Sequence, residues 1–149
     1  MYNNRSNVYR EVAVQTASPT KLVAMLYEGA IRFLRESAEA IESRDLDRKR
    51  QSIDRAMAIV QHLHDTLDMA RGREVAGSLD RLYSYISMRI LEGSTKLETA
   101  PLEEAIKLLK VLHAGWEEVA KQELGSTTNI VPAPLLAQHA SSGGFALHA

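Results

Sequence analysis

The sequence predicts an all-α protein: an antiparallel four-helix bundle with an N-terminal arm and a flexible C-terminal tail. Apolar residues recur at three- and four-residue spacing in four separate stretches, each of about 20–25 residues. The links between them are short and rich in charge or glycine, which makes consecutive helices antiparallel neighbours. No stretch alternates with the period of two that marks a half-buried strand. At 149 residues the chain suits one domain with a substantial core. The expected division is an arm over 1–17, a bundle over 18–125 and a tail over 126–149.

The arm is polar apart from Tyr9, Val12 and Val14, and such a segment is ordered only if something ties it down. Helix one is expected over 19–43. Ser18 supplies a capping oxygen, and Pro19 needs no donor at the first helical position. One apolar row runs Leu22, Leu26, Ala30, Phe33, Leu34, Ala38 and Ile41; a second, with Val23, Met25, Tyr27 and Ile31, runs beside it. Together they make a sector broader than one neighbouring helix needs. Gly29 inside this helix costs roughly 1 kcal/mol relative to alanine and points to close approach by another backbone.

The link ESRDLDRKR offers Asp45 or Asp47 as the cap of helix two, whose apolar face carries Ile53, Ala56, Met57, Val60, Leu63, His64 and Leu67. Arg48, Lys49 and Arg50 fall in its first turn, the unfavourable end for cations, and belong to a solvated face or to an acidic partner. Gly72 is expected to close helix two. Helix three places Val75, Leu79, Leu82, Tyr83, Ile86 and Ile90 on one stripe, leaving Tyr85, Met88, Arg89 and Leu91 outside it. Residues 93–100 form the expected third connection, with Thr99 capping helix four. Glu103 and Glu104 suit the positive end of that helix dipole. Leu102, Ala105, Ile106, Leu109, Leu112, Trp116, Val119 and Ala120 face inward, Leu108 and Val111 widen the face, and Gly125 ends it. Residues 126–149 contain no Asp, Glu, Lys or Arg, and hold Pro132, Pro134, Gly143 and Gly144. Ile130, Val131, Leu135, Leu136, Phe145 and Leu147 make this tail more apolar than an inert one needs.

Composition excludes several functions. The net charge of −1 lacks the clustered cationic excess of a nucleic-acid binder. Without cysteine there is no thiol chemistry or disulfide framework. Neither a signal-peptide core near Met1 nor a run of about 20 apolar residues is present, which predicts a cytoplasmic protein without membrane insertion. Di-iron bundles need Glu-x-x-His on two helices, and that motif is absent. His62 and His64 lie about 200° apart around a helix and cannot share a metal. No glycine-rich phosphate cradle or activated serine is evident, since the serines fall at caps, links or the tail. The expectation is therefore no enzyme, no metal and no cofactor. A signalling or phosphotransfer bundle using His62, His64 or His113 is the alternative, although the usual His-Lys-Gly context is missing.

What remains is surplus apolar surface on helices one, three and four, with Tyr27, Tyr83, Tyr85 and Trp116 as aromatics suited to a partner. Either these side chains belong to the core with their polar ends at the surface, or the surplus is covered by a partner helix, a homodimer or the protein's own arm and tail.

The run TASPTKLVAMLYEGAIRFL, preceded by Tyr9 and Val12, closely resembles the opening of the flagellin-specific export chaperones of the bacterial flagellum. The similarity continues through IVQHLHDTLD, EVAGSLDRLYSYISMRI and LLKVLHAGWEEV, covering about residues 5–122. Arg73 departs from a second glycine common in that family, and the long tail lies outside the shared pattern. The resemblance implies a four-helix bundle that binds the disordered C-terminal segment of flagellin, prevents premature polymerisation and assists delivery to the export gate without nucleotide. It implies further that the arm, through Tyr9 and Val12, lies over the client groove as a displaceable lid. Candidate groove residues are Leu22, Met25, Leu26, Tyr27 and Ile31 on helix one with Leu82, Tyr83 and Ile86 on helix three. Leu135, Leu136 and Phe145 are candidates to fill that groove in cis.

Overall fold

The structure, a computed structural model, describes residues 18–67 and 69–124. Four helices follow in order: α1 (Pro19–Glu42), α2 (Leu46–Asp65), α3 (Met69–Lys96) and α4 (Thr99–Leu124). The arm, with Tyr9 and Val12, and the tail lie outside the described residues.

Local chemistry sets most of the helix ends. Ser18 caps α1 by accepting the Lys21 N–H at 3.1 Å, and Asp45 rather than Asp47 caps α2, accepting from the Arg48 N–H at 3.1 Å. The α1–α2 link closes with the Asp45 N–H on the Ala40 carbonyl at 2.9 Å and the Arg44 N–H on Ile41 at 3.2 Å. Arg44 takes φ 62° to allow it. The α3–α4 link repeats this device: Leu97 has φ 55° and the Glu98 N–H reaches the Gly93 carbonyl at 3.0 Å. Both are six-to-one helix closures in which a side-chain-bearing residue occupies the left-handed position usually held by glycine.

Two expected boundaries are corrected. Gly72 does not close α2, which stops at Asp65; it lies inside the start of α3. Thr66 closes α2, with its N–H on the His62 carbonyl at 3.1 Å and its hydroxyl on Leu63 at 3.0 Å, so the terminal carbonyls are satisfied without glycine. Nor do residues 93–100 form a long connection: α3 runs to Lys96, α4 begins at Thr99 itself, and Gly93 is a buried helical residue. A β-carbon on Gly93 would stand 2.9 Å from the Glu98 carbonyl oxygen and from Leu102. Glycine is needed there for the close approach of the turn and α4, not for a turn of its own.

In the bundle α1 packs between α2 and α4, and α3 completes the ring against the same two. Leu34, Val60, Ile86, Ile90, Leu102 and Leu109 form the fully buried centre. The side chains of Val119 and Ala120 are outside the described residues. Two serines also sit in the interior, correcting the assignment of every serine to caps, links and tail. Ser37 on α1 donates to Ser52 on α2 at 2.7 Å, and Ser52 donates to the Arg48 carbonyl at 2.8 Å. Small side chains let the two helices approach, and each buried hydroxyl is hydrogen-bonded. The basic first turn of α2 finds its partners within the bundle: Arg48 meets Glu39 at 3.1 Å and Lys49 reaches the Ser94 hydroxyl at 3.2 Å.

Candidate functional site

The two apolar rows expected on α1 are regrouped in the structure, each dividing between the core and the seam with α2. The row through Ala24, Tyr27, Ala30, Ile31 and Leu34 points into the bundle and is buried. The other turns toward the seam with α2, where Leu22, Met25, Leu26 and Phe33 remain half-buried. With Ile59 of α2 they wall an open groove of about 530 Å³. Gly29 lies at its floor, and a β-carbon there would meet Ile59 Cδ1 at 3.2 Å. The close neighbour of Gly29 is therefore a flexible side-chain end rather than the backbone expected from sequence. Glu28, Arg32 and His62 form the polar edge. The Arg32 guanidinium lies 4.9 Å from the Phe33 ring centroid and that of Arg55 5.7 Å away, so this aromatic is flanked by two cations.

Of the expected groove residues, the structure brings together Leu22, Met25 and Leu26. Tyr27, Ile31, Tyr83 and Ile86 are corrected to core positions: all are buried and belong to the central cluster. Tyr27 and Tyr83 hydrogen-bond to each other through their hydroxyls. Burial pushes both phenols above their ordinary range, the neutral form being the one an apolar interior tolerates. The buried indole Nε1 of Trp116 makes no hydrogen bond among the described residues. Leu82 is half-buried against the core and does not line the groove. Phe33, Ile59 and Gly29 were the residues missed. A glycine in mid-helix with Phe33 one turn on, and Ile59 off the main stripe of α2, were the available signals.

Outside the groove, single apolar side chains are also exposed on α3 and α4. Tyr85, Met88, Leu91 and Val111 are exposed, Val111 at 67%. A polar network lies at Tyr85: Glu104 accepts from the Tyr85 hydroxyl at 2.7 Å and from Arg89 Nε at 2.6 Å, and Arg89 also reaches Glu92 at 2.7 Å. These bonds hold the Glu104 carboxyl below its ordinary range, Tyr85 foremost and then Arg89, while Arg89 and Lys96 do the same for Glu92.

The histidines are engaged differently. His64 bonds Asp80 across the α2–α3 seam. His113 lies 3.0 Å from Glu28 and 3.7 Å from Glu117, and Lys21 lies 3.6 Å from Glu117. Glu28, His113 and Glu117 thus bring three potential metal-ligand atoms within 4.8 Å of one another, a grouping across two helices that motif counting along one helix does not detect. As placed, Lys21 is the cationic partner of Glu117, and His113 reaches both carboxylates, so the group joins α1 to α4. No helix among the described residues is long and apolar enough to cross a membrane.

The described residues thus form a four-helix bundle with an open apolar groove along the α1–α2 seam. The family model described as flagellar protein FliS matches residues 1–123. The chain belongs to the FliS family. Among its relatives, the flagellar secretion chaperone FliSB of Pseudomonas aeruginosa is 34% identical over 110 residues, covering 74% of this chain and 87% of that protein. The flagellar secretion chaperone FliS of Bacillus subtilis is 32% identical over 120 residues, covering 80% and 89%. That of Campylobacter jejuni is 33% identical over 124 residues, covering 83% and 97%. Their shared name describes a chaperone, a non-enzymatic role, and family membership supports an export-chaperone role here. Residues 124–149 lie beyond the span matched by the family model.

Proposed function

We propose that this protein is a cytoplasmic chaperone that binds the disordered C-terminal segment of flagellin, keeps it from polymerising and presents it to the flagellar export gate. The observation that carries the reading is the open α1–α2 groove in a member of a secretion-chaperone family. From Leu22 to Phe33 the groove follows α1 for about 16 Å, room for roughly three turns of a client helix. An amphipathic segment can fold onto it with anchors at i, i+3 or i+4, and i+7. Its apolar stripe is then covered, and the surface through which it would pair with another flagellin is blocked. Folding on binding costs the client some 2–5 kcal/mol or more in ordering, which favours contact beyond one groove. The exposed Met88, Leu91 and Val111 offer such contact to a segment that wraps the bundle. Release is by handover at the export gate.

Calorimetric titration with the last ~40 residues of flagellin, a length sized to a helix pair, tests the reading. We expect saturable binding with a large negative heat-capacity change, the mark of apolar burial with coupled folding. No binding, or self-association of the chaperone through the groove in place of it, overturns the proposal.

A further inference from the structure

We propose that the segment 126–149 is the resident of the α1–α2 groove when no client is bound, seated through Leu135 and Leu136 with Phe145 further along. Its competition with client rests on the function proposed above; its docking does not.

Four observations converge. The groove walls are apolar and half-buried, so an occupant would bury them further. The segment has no acidic or basic residue to desolvate there, while supplying six large apolar side chains. Position favours it too. Lys21 pairs with Glu117 and Glu28 with His113, so α4 runs antiparallel to α1, and its last residues lie beside the Leu22 end of the groove. Finally, from Leu124 to Leu135 the chain can span up to about 35 Å, whereas packed helix axes are only about 8–10 Å apart. Leu135 therefore reaches the groove without strain.

The sequence VPAPLL suits this use. Pro132 and Pro134 fix φ and favour an extended path, reducing the freedom lost when Leu135 and Leu136 dock. Tethering also gives the segment an effective concentration in the millimolar range, which a second copy of the chain does not match at ordinary concentrations. The segment lies beyond residues 1–123, so docking it would add a built-in competitor to the family's bundle.

The absence of cysteine makes the test direct in the full-length chain. Two double variants, Met25→Cys with Leu136→Cys and Val111→Cys with Leu136→Cys, are oxidised mildly at low protein concentration. We expect the first to form its intramolecular disulfide about tenfold faster or more, because docking concentrates one thiol beside the other. Equal rates, or a faster Val111 pair, overturn the proposal, as they would if the arm were the occupant. A third variant, Leu135→Ser with Leu136→Ser and Phe145→Ser, is then titrated with the flagellin C-terminal peptide. About threefold or more tighter binding supports competition. Unchanged affinity with preferential Met25 cross-linking leaves the tail docked and instead overturns the groove as the client's site.

Discussion

The hydroxyls of Tyr27 on α1 and Tyr83 on α3 meet in the interior, joining two helices that face each other across the ring of four. Each phenol satisfies the other where solvent does not reach. Removing one hydroxyl strands its partner; removing both leaves nothing unpaired. Tyr27→Phe or Tyr83→Phe alone should cost about 1–3 kcal/mol, and the double variant less than the sum of the two. Urea denaturation of the four proteins checks this, and additive losses would contradict it.

The same pair makes the protein sensitive to alkali. Both phenols titrate above the ordinary value of 10.0 when folded. Below that pH both are neutral in either state, and the full contribution is present. Above it the unfolded chain releases protons that the folded chain retains, so stability falls as pH rises toward the folded values. The slope should approach about 1.4 kcal/mol per pH unit for each phenol. It should be shallower in the double Phe variant, measured as unfolding free energy between pH 9 and 11, a span of roughly one unit either side of an ordinary phenol.

On the acid side the expected change has the opposite sense. Glu104 and Glu92 titrate below the ordinary value of 4.5 because Tyr85, Arg89 and Lys96 bond their charged forms. Their contribution is present above that value and is lost as pH falls through it toward the folded values. Glu104→Gln should flatten the acid limb of the stability profile, and added salt should weaken the effect because the network lies at the surface. An unchanged limb would count against the network.

Gly29 and Gly93 should respond oppositely to alanine. At Gly93 the new β-carbon meets a backbone oxygen and Leu102 at 2.9 Å, and neither can swing aside freely. A loss of about 1–3 kcal/mol follows from overpacking. At Gly29 the neighbour is the mobile end of Ile59, at 3.2 Å. The gain in helix propensity, roughly 1 kcal/mol, should offset that contact and leave stability unchanged or raised. Thermal unfolding of both variants decides.

Charge placed in the groove should separate binding from folding. Met25 is half-buried at the seam, so Met25→Asp should fold, yet weaken flagellin-peptide binding by at least about tenfold, equivalent to 1.4 kcal/mol. Equal affinity for wild type and Met25→Asp, with both folded by circular dichroism, would remove the groove from the client's path.

The sequence alone determined what depends on neighbours a few residues away. The cap at Ser18, the four apolar periods and the order of helices follow from hydrogen-bond and side-chain geometry within one or two turns. The motifs of α1 likewise sufficed for the family resemblance. Tertiary structure decided which apolar row met which neighbour. Tyr27 and Met25 are both apolar-facing residues of one helix, and only the positions of α2, α3 and α4 send the first inward and leave the second at an open seam. The same holds for Gly93, for the Ser37–Ser52 contact and for the grouping of Glu28, His113 and Glu117, each created by two elements distant in sequence. Periodicity specifies that a face will be buried; what buries it is a property of the packed bundle.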